Sequence, residues 1–433
     1  MIGIGPLITI PLVLSALHGP LSLVAWVLGA VVAACDGLVW AELGAALPRS
    51  GGLYAFFLHL FSPKAGRLLA FLFVWQFVLT TPFLLASGYI GFSQYATYLA
   101  PQLRGNDLAQ HLVAVAIGIV TIVLLARIIT RVATIAVVLF VAATATLVLV
   151  TVAAWTRFDA HQAFAVDPGS TALLPFVAGL GSGLIVTLYD YAGYSTVTTI
   201  GEEIAAAPRT IPRSILLAIA LVAALYLALQ TGVLGAIPWH ELVGGAAGPS
   251  ESARFVASSV VERAWGIGAA GVATVLILIT AFASTFAILL SAARVPFAAA
   301  RDGLFLAAFA RLHPRDAYPT VSLFAIGTLA LGACFLPLDQ IIAVIGVGIV
   351  VFGGVGAFAS VVRLRRSDVP TPYRMPLFPL PALVALAAWL YVLATAGALA
   401  VGFTAVSIAA GIGVYYLAYA RSRTAASAGS ETS

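Results

Sequence analysis

Charge is what this chain has least of. Only 9% of its 433 residues are Asp, Glu, Lys or Arg, against roughly a quarter in a soluble domain. With 62% hydrophobic residues, a water-soluble fold of this size could not cover its apolar surface, so its solvent is lipid. The same composition excludes a disordered chain. Cysteine is scarce too. Cys35 and Cys334 are the only two; both lie inside apolar runs, which reads as small buried hydrophobes and not as a disulfide scaffold. None of the six histidines stands at a metal-ligand spacing, and there is no HExxH. His313 lies in HPRD, but on a basic loop and not in a kinase catalytic loop. No nucleophile–base pair is evident, so neither an enzyme nor a resident cofactor is expected. The net charge of +5 does not imply nucleic acid, because the basic residues fall in loops between apolar runs. Those runs are continuous and not alternating, which excludes a transmembrane β-barrel.

What is present is a series of about twelve such runs, the fold class being an all-α integral membrane protein. They are Met1–Leu17, Ser22–Leu47, Arg67–Leu99, His111–Ile129, Val132–Trp155, Leu173–Glu203, Pro212–Ile237, Val261–Arg294, Pro319–Leu336, Gln340–Arg363, Leu380–Leu399 and Val401–Ala420. With the N-terminus inside, the inner loops hold 17 of the 21 Lys and Arg residues, among them Arg49, Arg131, Arg315, Arg421 and Arg423. The outer loops hold only Arg104, Arg157, Arg254 and Arg263. That bias places both termini in the cytoplasm and the protein in the cell's inner or plasma membrane. One transporter domain, residues 1–423, is expected, with residues 1–155 and 173–363 as two five-helix repeats and 380–420 as two added helices. Residues 424–433 read as a disordered cytoplasmic tail.

Two runs carry helix breakers at membrane depth. The first opens with Gly3, Gly5, Pro6 and, further on, Pro11; the sixth carries Gly179, Gly181, Gly183, Asp190 and Gly193. Irregular backbone inside a bilayer is tolerated only where it lines a cavity or meets a ligand. Breaks at matching positions in two halves point to an inverted-repeat transporter with a midplane site. Close helix packing also uses glycine; that reading suits Gly346, Gly348, Gly353, Gly354 and Gly356 in the tenth run, whereas the sixth-run glycines accompany an Asp and tyrosines that packing does not need. Amides near Leu7 and Ile8, and near Tyr194, would favour a carboxylate. Carbonyls near Val186–Leu188 would favour an ammonium group. A zwitterion with both is an amino acid. The substrate-site candidates are therefore Gly3, Ile4, Gly5, Leu7, Ile8, Leu188, Tyr189, Asp190, Tyr191, Gly193 and Tyr194, with Gln76 of the third run.

Four segments carry a family resemblance. AELGAALPRSGGLY (Ala41–Tyr54), YDYAGYSTVTTIGEE with PRTIPRSI (Tyr189–Glu203, Pro208–Ile215), SAARVPFAAARDGLF (Ser291–Phe305) and PYRMP (Pro372–Pro376) stand in this order. Together they resemble the amino acid–polyamine–organocation permeases over nearly the whole chain. The resemblance implies the leucine-transporter-type inverted-repeat fold, discontinuous first and sixth helices, and transport of amino acids or polyamines. The wording of the sixth run is closer to the polyamine-uptake and L-type branches than to many amino-acid antiporters. Three features depart from the pattern. Family members have a cytoplasmic tail and a half-helix before the first break; here the break begins at Gly3, so coding sequence upstream of Met1 is expected. Pro6 replaces a residue that normally offers an amide. Phe140 stands where proton-coupled relatives carry a lysine, so that mechanism does not carry over.

Polar groups within the runs complete the candidates. Asp36 lies mid-membrane and reads equally as a buried structural group or a proton site. Glu42 reads as an interfacial acid pairing with a loop arginine such as Arg49. Asp190 reads as the partner of a substrate amine or as the cap of the next half-helix. Ala281, Ser284 and Thr285 repeat a sodium-site pattern of related folds, or simply back-bond to their own helix. The expected function is secondary active transport of amino acids or related amines by alternating access, coupled to H+ or Na+. A polyamine-selective permease and a transporter-like sensor that binds without moving its ligand are the alternatives; a channel lacks a filter-like ring. The expected partners are the small-molecule substrate and the lipid bilayer, with oligomeric state open.

Overall fold

A computed structural model describes residues 2–49, 51–127, 132–166, 173–243, 250–313 and 318–419. Met1, Arg131, Arg315, Arg421, Arg423 and the tail 424–433 lie outside the described residues. Among the described residues the main apolar helices are α1 (Gly5–Leu17), α2 (Ser22–Ala46), α3 (Pro63–Leu99), α4 (Asp107–Arg127), α5 (Val132–Thr156), α6 (Leu173–Tyr191), α7 (Ala207–Ala236), α8 (Ile267–Ala292), α9 (Thr320–Ala333), α10 (Leu338–Ile349), α11 (Leu380–Thr395) and α12 (Ala398–Val414). Among the described residues, nine helices are long and apolar enough to cross a membrane, while α1, α9 and α11 are shorter apolar helices. The chain is a multi-pass membrane protein.

Helices α1 and α6 pack on each other, as do α2 and α7, α3 and α8, and α4 and α9. Large side chains such as Trp26, Tyr89, Tyr95, Tyr191 and Phe286 fill the interior, whereas Phe140, Leu217, Leu221 and Val272 stand exposed on outward faces. Outward apolar side chains cost nothing in hydrocarbon, so such a chain is apolar on both sides of its helices.

Several sequence boundaries are corrected. The sixth run, expected as a helix interrupted near Asp190 and resuming to Glu203, is helical to Tyr191, and short 3-10 turns at Tyr194–Thr199 and Gly201–Glu203 stand where a second half-helix was expected. Of the glycines read as breakers in this run, Gly179, Gly181 and Gly183 lie within α6 and do not interrupt it. A side chain on Gly179 would meet the Ala16 carbonyl at 2.1 Å and one on Gly181 would meet Thr395 at 2.2 Å. These glycines let α6 press against its neighbours. The same packing role holds in the tenth run, where Gly354 lies against Trp389. Residues Val261–Trp265 of the eighth run belong to a separate helix, Val256–Trp265, because Gly266 turns the chain with φ of +85°. After α10 the tenth run continues as a π-helical stretch, Val350–Gly356, and an α-helical end, Ala357–Arg365. Pro212 lies inside α7, which starts earlier, at Ala207.

Candidate substrate site

The end of α6 and the start of α1 meet inside the protein. Helix α6 ends because Gly193 takes a left-handed conformation, φ +105°, open to glycine without strain. Helix α1 starts beside it with Pro6 in the first turn, where a missing N–H removes nothing the helix could pair. Leu7 N–H already bonds the Ile4 carbonyl at 2.9 Å, so the amides near Leu7 and Ile8 lie within α1, and the free ones shift to its first residues, around Ile4 and Gly5.

Asp190 faces that start directly. It is 4% exposed. Its Oδ2 accepts a hydrogen bond from Thr9 Oγ1 at 2.6 Å. Its Oδ1 has no hydrogen-bond partner and lies only 2.2 Å from where a Cβ on Gly5 would stand. A carboxylate at a helix start is favourably placed in the helix dipole, yet an unpaired buried oxygen costs about 1–3 kcal/mol or more. The alternative role as a cap is not realised: the cap of the next turn is Gly193, with no side-chain bond.

Aromatic residues surround this contact. The Tyr189 ring comes within 3.5 Å of the same Gly5 position, and its hydroxyl shares a 2.8 Å hydrogen bond with Ser87. Tyr191 donates to the Trp26 carbonyl at 3.2 Å and stacks on Tyr226 at 5.7 Å, and Tyr226 meets the Gly3 backbone. Tyr95 donates to the Leu7 carbonyl at 2.8 Å. Beyond the break, Tyr194 donates to Asp36 Oδ2 at 2.6 Å, and Trp389 Nε1 reaches Oδ1 at 3.3 Å. Asp36 therefore ties α2 to α11 and to the turn after α6.

A profile described as "Amino acid permease" matches residues 1–421 of the sequence. The chain belongs to the amino acid permease family. It is a membrane transporter and not an enzyme. The methylthioribose transporter of Bacillus subtilis is 25% identical over 399 residues, 88% of this chain and 81% of that protein. The vacuolar cationic amino acid transporter 4 of Arabidopsis thaliana is 28% identical over 391 residues, 85% of this chain and 61% of its own length. A branched-chain amino acid permease of Bacillus subtilis is 24% identical over 423 residues, 92% of this chain and 86% of that protein. The chain thus spans about three fifths of the plant cationic relative, and more of the two bacterial ones.

Of the permease's sequence-derived candidates, Gly3, Gly5, Tyr189, Asp190 and Tyr191 gather where α1 meets α6; Gly193 and Tyr194 follow the end of α6, and the Tyr194 side chain turns to Asp36. Leu188 is buried one turn inside α6. The side chains of Ile4 and Ile8 turn away to pack on Gly91 of α3. Gln76 is not part of the cluster: its Oε1 accepts from Ser407 of α12 at 2.7 Å, and its Nε2 lies near Gly348 of α10. It shares a face of α3 with Ser87, but 11 residues earlier, about 16 Å along the axis. Ser284 and Thr285 both bond the Ala281 carbonyl, at 3.0 and 3.1 Å, while Ser284 Cβ would lie 3.2 Å from a Cβ on Gly3. Thr9, Ser87, Tyr95 and Tyr226 were missed from sequence. Only Thr9 left a trace, one helical turn after Gly5 and so on its face. Glu42 pairs with Arg365 and not with Arg49.

Proposed function

We propose that this permease is a secondary transporter of amino acids or related amines in the cytoplasmic membrane, with its substrate site where the start of α1 meets the end of α6. The observation that carries the reading is Asp190 Oδ1, a buried acceptor with no donor, aimed at a helix start in a membrane transporter. A substrate ammonium group supplies the missing donor. The relatives named for methylthioribose, cationic and branched-chain amino acids handle small metabolites, and Asp190 favours those that bear an amine.

The pairing of α1 with α6, α2 with α7, α3 with α8 and α4 with α9 joins helices five apart. That is the pattern of two five-helix sets, residues 1–155 and 173–363, with the last two helices added. Helix α1 has 13 residues, about 20 Å, short of the ~30 Å of a bilayer core, which fits a half-helix beside a break. Counted with α9 and α11 it brings the spans to twelve, with both termini cytoplasmic on the Lys and Arg bias. Rocking of one bundle against the other would open the site to each side in turn.

A proton is the coupling ion favoured by Asp36, an acid held mid-membrane between three elements. Sodium at Ala281, Ser284 and Thr285 is the alternative: both hydroxyls donate to the Ala281 carbonyl and keep their lone pairs for a cation. The test is uptake of radiolabelled amino acids and amines into proteoliposomes, with and without H+ and Na+ gradients. Saturable, gradient-driven accumulation of a substrate is expected. Saturable binding with no uptake under any gradient would replace transport by the sensor reading.

A further inference from the structure

We propose that the protein carries a groove for an anionic phospholipid, between the end of the tenth run and α11. The groove shares no residue with the α1–α6 junction and does not rest on the reading of that site. It is a hollow of about 560 Å3, within the size range of pockets that bury a small molecule. One wall is a single face of the tenth run, where Val355, Phe358, Ala359 and Val362 recur three and four positions apart. The other is Leu386 and Leu390, one turn apart on α11. Val355 and Leu390 stand exposed, so the groove opens outward, where lipid is the solvent.

The apolar walls end in charge. Arg363 and Arg366 continue the same helix face, both are exposed, and the lining holds no acid to balance them. Among the described residues neither forms an ion pair. The Arg363 guanidinium lies over the Phe61 ring, 5.5 Å from its centre, which steadies it at the mouth of the groove. Arg365 is spent on Glu42 instead, and Asp368 lines a separate hollow with Arg374. The helix stops at Arg365, so the arginines mark where the span leaves hydrocarbon. Val355 lies eleven residues before Arg366, about 16 Å along the axis, and half of a bilayer core is about 15 Å. An apolar trench one leaflet deep, with two guanidinium groups at its mouth, matches a phospholipid: an acyl chain along Phe358, Ala359 and Leu386, and the phosphate at Arg363 and Arg366. A zwitterionic headgroup brings its own cation to these arginines and an anionic one does not, which sets the preference. Trp389, between the two groove leucines on α11, reaches Asp36, so a lipid seated here braces the helix that holds that acid.

Native mass spectrometry of the purified full chain tests this, with phosphatidylglycerol and phosphatidylcholine of equal chain length titrated in turn. One phosphatidylglycerol should be retained at about twenty- to thirtyfold lower concentration than phosphatidylcholine, about fivefold for each arginine. Arg363→Gln with Arg366→Gln should abolish that preference. Both side chains are exposed, so the fold should survive. Arg209→Gln with Arg213→Gln, an equal loss of charge at exposed positions near the start of α7, should keep the preference. Ala359→Phe, which fills the trench, should cut retention of phosphatidylglycerol. Equal retention of the two lipids by the parent protein overturns the proposal without the need for any variant. So does a preference that survives the loss of Arg363 and Arg366, or undiminished retention in Ala359→Phe. Displacement of phosphatidylglycerol by equimolar glycerol 3-phosphate would overturn it too, by showing an anion site with no use for acyl chains.

Discussion

Glu42 is fully buried, yet carries a charge, and the contacts that permit this predict the cost of removing them. Its two oxygens receive Arg365 Nε and, at 2.7 Å, Arg365 Nη2, and Oε2 also accepts the Met375 N–H at 2.8 Å. The Arg365 guanidinium lies over the Phe378 ring at 4.6 Å. These contacts join α2 to the end of the tenth run and to the segment before α11. Arg365→Met leaves the carboxylate buried with a single donor. Breaking a buried ion pair costs about 3–5 kcal/mol; the Arg365 side chain is 20% exposed, so water reaches the pair in part and the lower end, about 3 kcal/mol, is expected. Glu42→Met with Arg365→Met removes both charges and fills the space with apolar atoms, so the double variant should lose less than Arg365→Met alone. Denaturation of the detergent-solubilised protein measures both of these and Glu42→Met alone, which closes the cycle. A loss under about 1 kcal/mol for Arg365→Met, or strict additivity in the double variant, would refute the buried-pair argument.

Gly5→Ala puts a Cβ at 2.2 Å from Asp190 Oδ1 and should cost about 1–3 kcal/mol through overpacking; adding Asp190→Ala should recover most of the loss, and a Gly5→Ala protein as stable as the parent would mean that α1 and α6 do not meet this closely. Asp36→Asn should abolish concentrative uptake and leave counterflow exchange largely intact; loss of both with poor expression would assign Asp36 a structural role. Tyr54 donates to Asp302 at 2.7 Å, and burial, with the Asp302 carboxylate, raises its phenol above the usual tyrosine range. The folded state therefore keeps a proton that the unfolded state releases near pH 10, so stability from Tyr54 is intact below that pH and lost above it. Comparing Tyr54→Phe with the parent between pH 9 and 11 should show the parent losing stability faster; parallel curves would count against this.

The permease's candidate site was half legible in its sequence. Asp190 and its neighbouring tyrosines stood out because an acid beside a glycine break at membrane depth has few structural uses. Not every glycine read as a breaker acts as one: Gly179, Gly181 and Gly183 sit where α6 needs thin faces against Ala16, Leu17 and Thr395. A sequence does not say which neighbour a glycine faces. Gln76 was selected on the correct face of α3 and in the wrong turn, because periodicity gives direction around a helix and not depth along it.

Length and apolar composition by themselves determined that the chain lives in lipid, where its spans lie, and that its first and sixth runs are unusual. Those are local properties, set by a residue and its near neighbours in a uniform solvent. Partners were decided only by the tertiary structure. Thr9 meets Asp190 across 181 residues and Arg365 meets Glu42 across 323; the loop arginine expected for Glu42 is Arg365 and not the example nearest in the chain, Arg49. Any of several arginines could satisfy an acid by charge. Which one does depends on how α2 packs against the end of the tenth run and which residues that brings level, because an ion pair needs contact at a few ångströms, and only packing sets that distance.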